Sequence, residues 1–281
     1  MAPTPINQIK KNLSGNLSIN HLNKLPSKWE KIGNVLIISL PSDLLKFKTE
    51  IGETYSKILE CKTVLNDIGG ISGILRKPKR EIVYGSSDTI TVHKENGVLF
   101  KLDPMKVMFS SGNIDERIRM ANISNKNETV VDLFAGIGYF SLPMAVYCKP
   151  KKIFSCELNP TSYKFLCENI VLNNVSDIIE PIKGDCRVTA PKNIADRVLL
   201  GYIFDTKDYL PTAFECLKDN TGIIHYHNKF PDKKVPNIAL KDVEAVSKKY
   251  SCKYKLLEYR LVKSYAPGIS HYVFDFGIDK K

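Results

Sequence analysis

Apolar positions along the chain fall into two regimes that meet a little past residue 100. In the first, a short apolar run at 34–40 reads as a strand, and residues 42–60 carry Leu44, Leu45, Phe47, Ile51, Tyr55, Ile58 and Leu59 at close to helical spacing. Runs at 62–66 and 80–84 predict two further strands. Between them lies Arg76-Lys77-Pro78-Lys79-Arg80, a basic stretch that Pro78 should keep out of helix as a loop, with nucleic acid contact and a solvated turn as its two readings. Residues 89–94 and 97–102 flank Asn96-Gly97, the strongest short hairpin signal, with His93 expected on the exposed face. Together these elements predict a smaller α+β domain over residues 1–104.

The second regime alternates strand with helix. A short strand is expected at 106–110, then a helix at 114–121 that Asn113 and Glu116 would open as a capping box. Strands follow at 129–131, 152–157, 178–183, 196–202 and 222–227, with helices at 139–148, 162–173, 208–218 and 238–249, and a closing strand pair at 254–262 and 271–276. Such alternation predicts an α/β domain over 105–281: a Rossmann-like, mostly parallel sheet covered on both faces, with an antiparallel last strand. In a sheet of this kind ligands sit beyond the carboxyl ends of the strands, where strand order reverses.

The chemistry collects at those ends. After Val131-Asp132 the chain runs Leu133-Phe134-Ala135-Gly136-Ile137-Gly138, and glycine at Gly136 and Gly138 permits a tight turn and close approach of a ligand to bare backbone. A Gly-x-Gly turn also ends many strands that bind nothing. The second strand strengthens the signal by ending in Glu157, 19 residues beyond Gly138, where a carboxylate accepts both ribose hydroxyls of an adenosine. The alternative for Glu157 is a solvated acid before the turn Asn159-Pro160. Asp132 is placed to orient the loop or a methionine-type amino group, and Asp185 to close over the adenine edge. No third glycine follows the turn, which favours S-adenosylmethionine over a dinucleotide.

Composition adds a partner class. Lys plus Arg number 41 against 30 Asp plus Glu, a formal net charge of +11, which favours polyanions and makes RNA or DNA a natural ligand. The seven cysteines include no Cys-x-x-Cys pair and no zinc spacing, so free buried thiols and no metal are expected. No apolar run reaches membrane-spanning length, and the first residues lack the apolar core of a secretory signal. A cytoplasmic protein with no membrane partner is expected.

The stretch Val131–Ser141, with Glu157-Leu158-Asn159-Pro160, Lys183-Gly184-Asp185-Cys186-Arg187 and Asp196 through Tyr202, resembles the tRNA position-37 enzymes of archaea and eukaryotes. Two relatives share these features: the guanosine-37 N1-methyltransferases and the wybutosine-synthesising protein 2 family. In the methyltransferases the tip of the fourth strand carries an Asn-Pro type element that grips the target base. Here it reads Leu200-Gly201-Tyr202-Ile203, similar to the second family, as is Val262-Lys263-Ser264-Tyr265-Ala266-Pro267-Gly268.

The resemblance implies a class I S-adenosylmethionine-dependent transferase working on the anticodon loop of tRNA-Phe in wybutosine biosynthesis, with the N-terminal domain as a tRNA contact; a monomer is expected. It would transfer the 3-amino-3-carboxypropyl group to the modified guanosine at position 37 and release 5′-methylthioadenosine. Cofactor-binding residues implied by the match are Ser110, Arg117, Glu157, Asp185 and Cys186, beside Asp132, Gly136 and Gly138 of the turn. His225 and His227 alternate on one strand and are candidate proton acceptors, or else structural histidines. Tyr202 or Tyr139 could stack on the base, and Lys106, Arg119 and Lys263 are candidate phosphate contacts. The alternatives are a guanosine-37 N1-methyltransferase and a non-catalytic basic RNA-binding protein.

Overall fold

The computed structural model describes residues 3–73 and 75–280, which divide into two compact units, Met1–Ser111 and Gly112–Lys281. The first is α+β. Helices α1 (Pro5–Leu13) and α2 (Ile19–Asn23) lead into a four-stranded sheet of β1 (Glu30–Ile32), β2 (Val35–Ile38), β3 (Thr63–Ser72) and β4 (Lys77–Gly85) in that order. Only β2 and β3 pair in parallel, joined by the crossover helix α3 (Lys48–Leu59). Ile51 and Tyr55, one helical turn apart on α3, are fully buried with Ile9, Leu13, Leu36, Ile38 and Val64. The expected single helix at 42–60 is divided, because Ser42–Phe47 forms a tighter 3-10 turn after Pro41.

Three expectations for this unit need correction. Residues 77–80 are not a loop but the start of β4; of the basic stretch only Arg76, at φ +55°, belongs to the turn before it. Pro78 is accommodated because β4 is the sheet edge, where one side of the strand has no neighbour to receive N–H groups. The hairpin forms as β5 (Thr91–Glu95) and β6 (Val98–Leu102) around Asn96 and Gly97, both at positive φ. His93 is nevertheless half-buried, its Nδ1 accepting the Gly33 N–H at 3.2 Å and its ring edge-on to Phe109. Residues 106–110 form no strand, since the peptide N–H groups of Lys106 and Val107 both bond to the Asp103 carbonyl and the Asp103 side chain takes that of Met105.

The second unit holds the alternating pattern. After α4 (Ile114–Met120) come β7 (Thr129–Asp132), α5 (Ser141–Tyr147), β8 (Lys152–Glu157), α6 (Pro160–Leu172), β9 (Ile179–Lys183), α7 (Cys186–Thr189) and β10 (Arg197–Leu200). Helix α8 (Leu210–Cys216), strand β11 (Gly222–Pro231), α9 (Asn237–Lys249), β12 (Cys252–Ala266) and β13 (Ile269–Lys280) complete it. The sheet runs β12-β13-β11-β10-β7-β8-β9, parallel from β11 to β9, with β13 antiparallel to β11 and β12 antiparallel to β13. The expected α/β architecture, antiparallel at its end, is borne out. Strand order reverses between β7 and β10, which puts the crevice at their carboxyl ends.

Local signals explain the helix boundaries. Asn159 is not a simple turn residue: its side chain accepts the Thr161 N–H at 2.9 Å and Pro160 occupies the first helical position of α6. At α4 the expected capping box is absent, because Asn113 makes no side-chain cap bond and Glu116 is buried against Arg119. Among the described residues no helix is long and apolar enough to cross a membrane, and no cluster of His, Cys, Asp or Glu suits a metal.

Candidate cofactor and nucleobase site

The turn after β7 is held from within. Asp132 is fully buried, accepting the Phe134 N–H at 3.2 Å and the Ser141 hydroxyl at 2.7 Å, while the Ser155 hydroxyl donates to Ser141. Burial pushes its carboxyl up to about 6, against the pull of those donors. Gly136 and Gly138 have φ of +61° and +99°. A Cβ on Gly138 would lie 2.6 Å from Leu142 Cγ and one on Gly136 would enter the Tyr139 ring, so both positions also need glycine for contact with the chain that follows.

Glu157, at the end of β8, is joined to that turn. One oxygen accepts the Gly136 N–H at 2.7 Å and the other the Asn159 N–H at 2.6 Å. Each oxygen retains a lone pair, so the carboxylate has the acceptor capacity for two ribose hydroxyls. Burial drives its pKa up to about 7 despite the peptide donors of Asn159, Gly136 and Leu158. Beyond β9, Asp185 caps α7 through the Arg187 N–H and is gripped by the Arg187 guanidinium, which holds its carboxyl below the usual range. Arg187 also lies over the Tyr209 ring at 5.1 Å. The neighbouring Cys186 thiol is buried and pushed up to about 12, which leaves its peptide group as the polar feature.

At the tip of β10, Gly201 packs on Phe140 and Tyr202 stacks on Phe134 with ring centroids 5.1 Å apart and planes at 16°. The glycine turn, Glu157, Asp185 and Tyr202 thus lie at or just beyond the carboxyl ends of the four parallel strands β7 to β10. Tyr139 is half-buried beneath Gly136. Ser110 is half-buried near the end of the first unit.

Arg117 and Arg119 both lie on α4. Both are buried, and all three guanidinium nitrogens of Arg119 bond to Glu116 or Asp275. Arg119 is therefore corrected from a phosphate contact to the centre of a buried ion-pair network. Against desolvation, His225 and Arg119 hold Asp275 down to about 2, whereas burial drives Glu116 upward against the pull of Arg119.

His225 belongs to the same network. Arg197 can only donate, so its 2.6 Å contact to Nε2 makes that nitrogen the acceptor and leaves Nδ1–H to donate to Asp275 at 2.6 Å. The ring is a neutral imidazole, consistent with burial lowering its pKa, and its lone pair is already engaged. His227 shares a 3.0 Å bond with His271 and stacks on Phe140, while its Nε2 has no hydrogen-bond partner and stands 3.5 Å from Glu116. Glu116, Asp275 and His271 escape a reading of the sequence because they look like ordinary surface polar residues. Their only trace is polar residues at inward positions, as in Val273-Phe274-Asp275-Phe276.

Comparison with known proteins agrees with this geometry. The TRM5/TYW2 methyltransferase domain matches residues 91–257, and the TYW2 N-terminal domain matches residues 9–89. The chain is 43% identical, over 97% of its own length and 97% of the relative's, to the tRNA(Phe) (4-demethylwyosine(37)-C(7)) aminocarboxypropyltransferase of Pyrococcus horikoshii. It is 45% identical to the Methanocaldococcus jannaschii protein of the same name, over 88% of this chain and 96% of that one. The crystal structure of P. horikoshii TYW2 in complex with MeSAdo superposes with a TM-score of 0.88 at 41% identity, covering 98% of this chain and 100% of that one.

Proposed function

The chain belongs to the TRM5/TYW2 methyltransferase-domain family, and from that membership we propose that it is an S-adenosylmethionine-dependent tRNA-Phe aminocarboxypropyltransferase. It acts in wybutosine biosynthesis, moving the 3-amino-3-carboxypropyl group onto the tricyclic wyosine precursor at position 37. The observation that carries this reading over methyl transfer is the tip of β10. Gly201-Tyr202 offers an aromatic ring and bare backbone where a base methyltransferase of the family presents an amide.

The donor set fits S-adenosylmethionine: Glu157 can take the ribose hydroxyls, Asp185 and the Cys186 peptide the adenine edge, and the Gly136–Gly138 turn the backbone contact. We assign the methionine carboxylate to Arg117. Bound in this way the sulfonium supplies a carbon open to in-line attack, with 5′-methylthioadenosine as leaving group. What the chain contributes is alignment, for which effective molarity sets a ceiling of roughly 7–11 kcal/mol. In the transfer the ring carbon forms a C–C bond, the C–S bond breaks, and the ring carbon loses its proton. With its lone pair engaged by Arg197, His225 is a poor acceptor for that proton, and His227 is the remaining histidine candidate. The substrate base must leave the anticodon stack to reach the site, and Tyr202 supplies a ring to receive it. The protein acts as a monomer on the anticodon loop.

Incubation with S-adenosylmethionine labelled in the carboxyl group or in the methyl group, together with precursor-bearing tRNA-Phe, tests the assignment. Carboxyl label alone should enter the RNA; incorporation of methyl label would return the protein to the guanosine-37 methyltransferases.

A further inference from the structure

The stacked pair Phe134 and Tyr202 is the inner end of a longer row. Tyr202 leans on Phe204 at 5.7 Å, and Phe204 meets Tyr265, near the tip of the β12–β13 hairpin, at 6.2 Å and 82°. Lys229, near the end of β11, places its ammonium 3.9 Å from the centre of the Phe204 ring and 4.4 Å from that of Tyr265. The Asp232 N–H donates to the Gly268 carbonyl at 3.0 Å, which sets the exposed Lys233 and Lys234 beside the same hairpin tip. None of Phe204, Lys229 and Tyr265 is needed by the cofactor cradle.

Packing alone does not account for this arrangement. Tyr265 is 47% exposed and sits where the pairing register shifts between Ser264 and Ala266, an irregularity that leaves its ring out of the core. The surface combines an open aromatic face, an ammonium held against two rings, and two free-standing lysines nearby. Single-stranded nucleic acid is recognised by this chemistry: rings take unstacked bases and ammonium groups take phosphates.

We propose that Phe204, Lys229 and Tyr265 form a second nucleotide subsite, for a residue of the tRNA anticodon loop flanking the reacting base. Its base stacks on Tyr265 and its phosphate meets Lys229. The subsite rests on the functional reading above, because the row starts at Phe134 in the cofactor turn and is thus continuous with the place where the reacting base is received.

The full chain and its variants Tyr265→Ala, Tyr265→Phe and Lys229→Gln would be titrated with precursor-bearing tRNA-Phe at several salt concentrations, with S-adenosylmethionine affinity measured by calorimetry in each. Tyr265→Ala should weaken RNA binding about tenfold, the loss expected for one stacked base, and Tyr265→Phe should keep the affinity of the parent. Lys229→Gln should reduce the slope of log affinity against log salt by about 1. Cofactor affinity should be unchanged throughout, which also reports an intact fold. Parental RNA binding by Tyr265→Ala, an equal loss in Tyr265→Phe, or an unchanged salt slope in Lys229→Gln would overturn the subsite; the lysine variant decides alone if the alanine variant does not fold. Carboxyl-label transfer by the parent separates the two claims. A parent that binds RNA without transferring label removes the functional reading, whereas one that transfers label while Tyr265→Ala binds RNA normally removes only the subsite.

Discussion

The Glu157 carboxylate accepts the Gly136 peptide N–H at 2.7 Å, so the acid at the end of β8 and the glycine turn after β7 form one rigid cradle. Losing that carboxylate removes the ribose acceptor and a support of the turn. Glu157→Ala should weaken S-adenosylmethionine binding about 10- to 100-fold, the scale of hydrogen bonds to a charged group, with tRNA affinity nearly intact. Calorimetry showing parental cofactor affinity would take Glu157 out of the site.

Cofactor binding should also depend on pH through the same residue. Burial raises the Glu157 pKa from 4.5 to about 7, and that of Asp132 from 3.8 to about 6. Between the ordinary and raised values the folded protein without cofactor holds protons that the unfolded chain has released, so its stability falls as pH rises through this window. Ribose hydroxyls require the ionised carboxylate, so cofactor affinity moves the other way and strengthens as pH rises through about 7. Binding at about pH 6 should be about tenfold weaker than at about pH 8. In Glu157→Gln the profile should lose its step near 7, and persistence of that step in calorimetric titrations would assign it elsewhere.

The parts of this cradle that were legible in the sequence are those written locally. A β-branched run, two glycines and an acid at the next strand end depend on strand order alone, and Asn96-Gly97 announces its hairpin by turn chemistry. What stayed hidden depends on partners far apart in the chain. Arg119 and Asp275 are 156 positions apart, and nothing near either says that the charge is buried. Pro78 misled for a related reason: whether a proline can sit in a strand depends on that strand lying at the sheet edge, a property of the assembled sheet.

Glycine at Gly138 should matter for packing as well as for ligand approach. Gly138→Ala puts a Cβ at φ +99°, 2.6 Å from Leu142 Cγ and 3.3 Å from Leu166 Cδ1. Backbone strain and overpacking together should cost about 2–4 kcal/mol. Gly268→Ala is the control, since its φ of +71° is strained but nothing lies within 4 Å of an added Cβ. It should lose only the strain, about 1 kcal/mol. Equal midpoints for the two variants in urea denaturation would remove the packing argument.

Arg119 should be a larger contributor to stability than any surface charge. Its guanidinium is 8% exposed and lies between Glu116, 2% exposed, and Asp275, 13% exposed. Arg119→Met fills much of the volume but removes the one cation bonded to both buried carboxylates, leaving the neutral His225 on Asp275 and only the more distant pull of Arg260 on Glu116. The loss should be about 3–5 kcal/mol at neutral pH. Protonation relieves like-charge repulsion, so part of that loss should be recovered as the pH is lowered and Glu116, already pushed upward by its burial, takes up a proton. Lys152→Met makes the comparison, because its 3.6 Å pair with Glu180 has side chains 32% and 52% exposed and should contribute less than about 1 kcal/mol. Denaturation curves for both variants across pH distinguish a buried network from an incidental pair. If Arg119→Met lost no more than Lys152→Met, the carboxylates of Glu116 and Asp275 would have to be compensated by something other than Arg119.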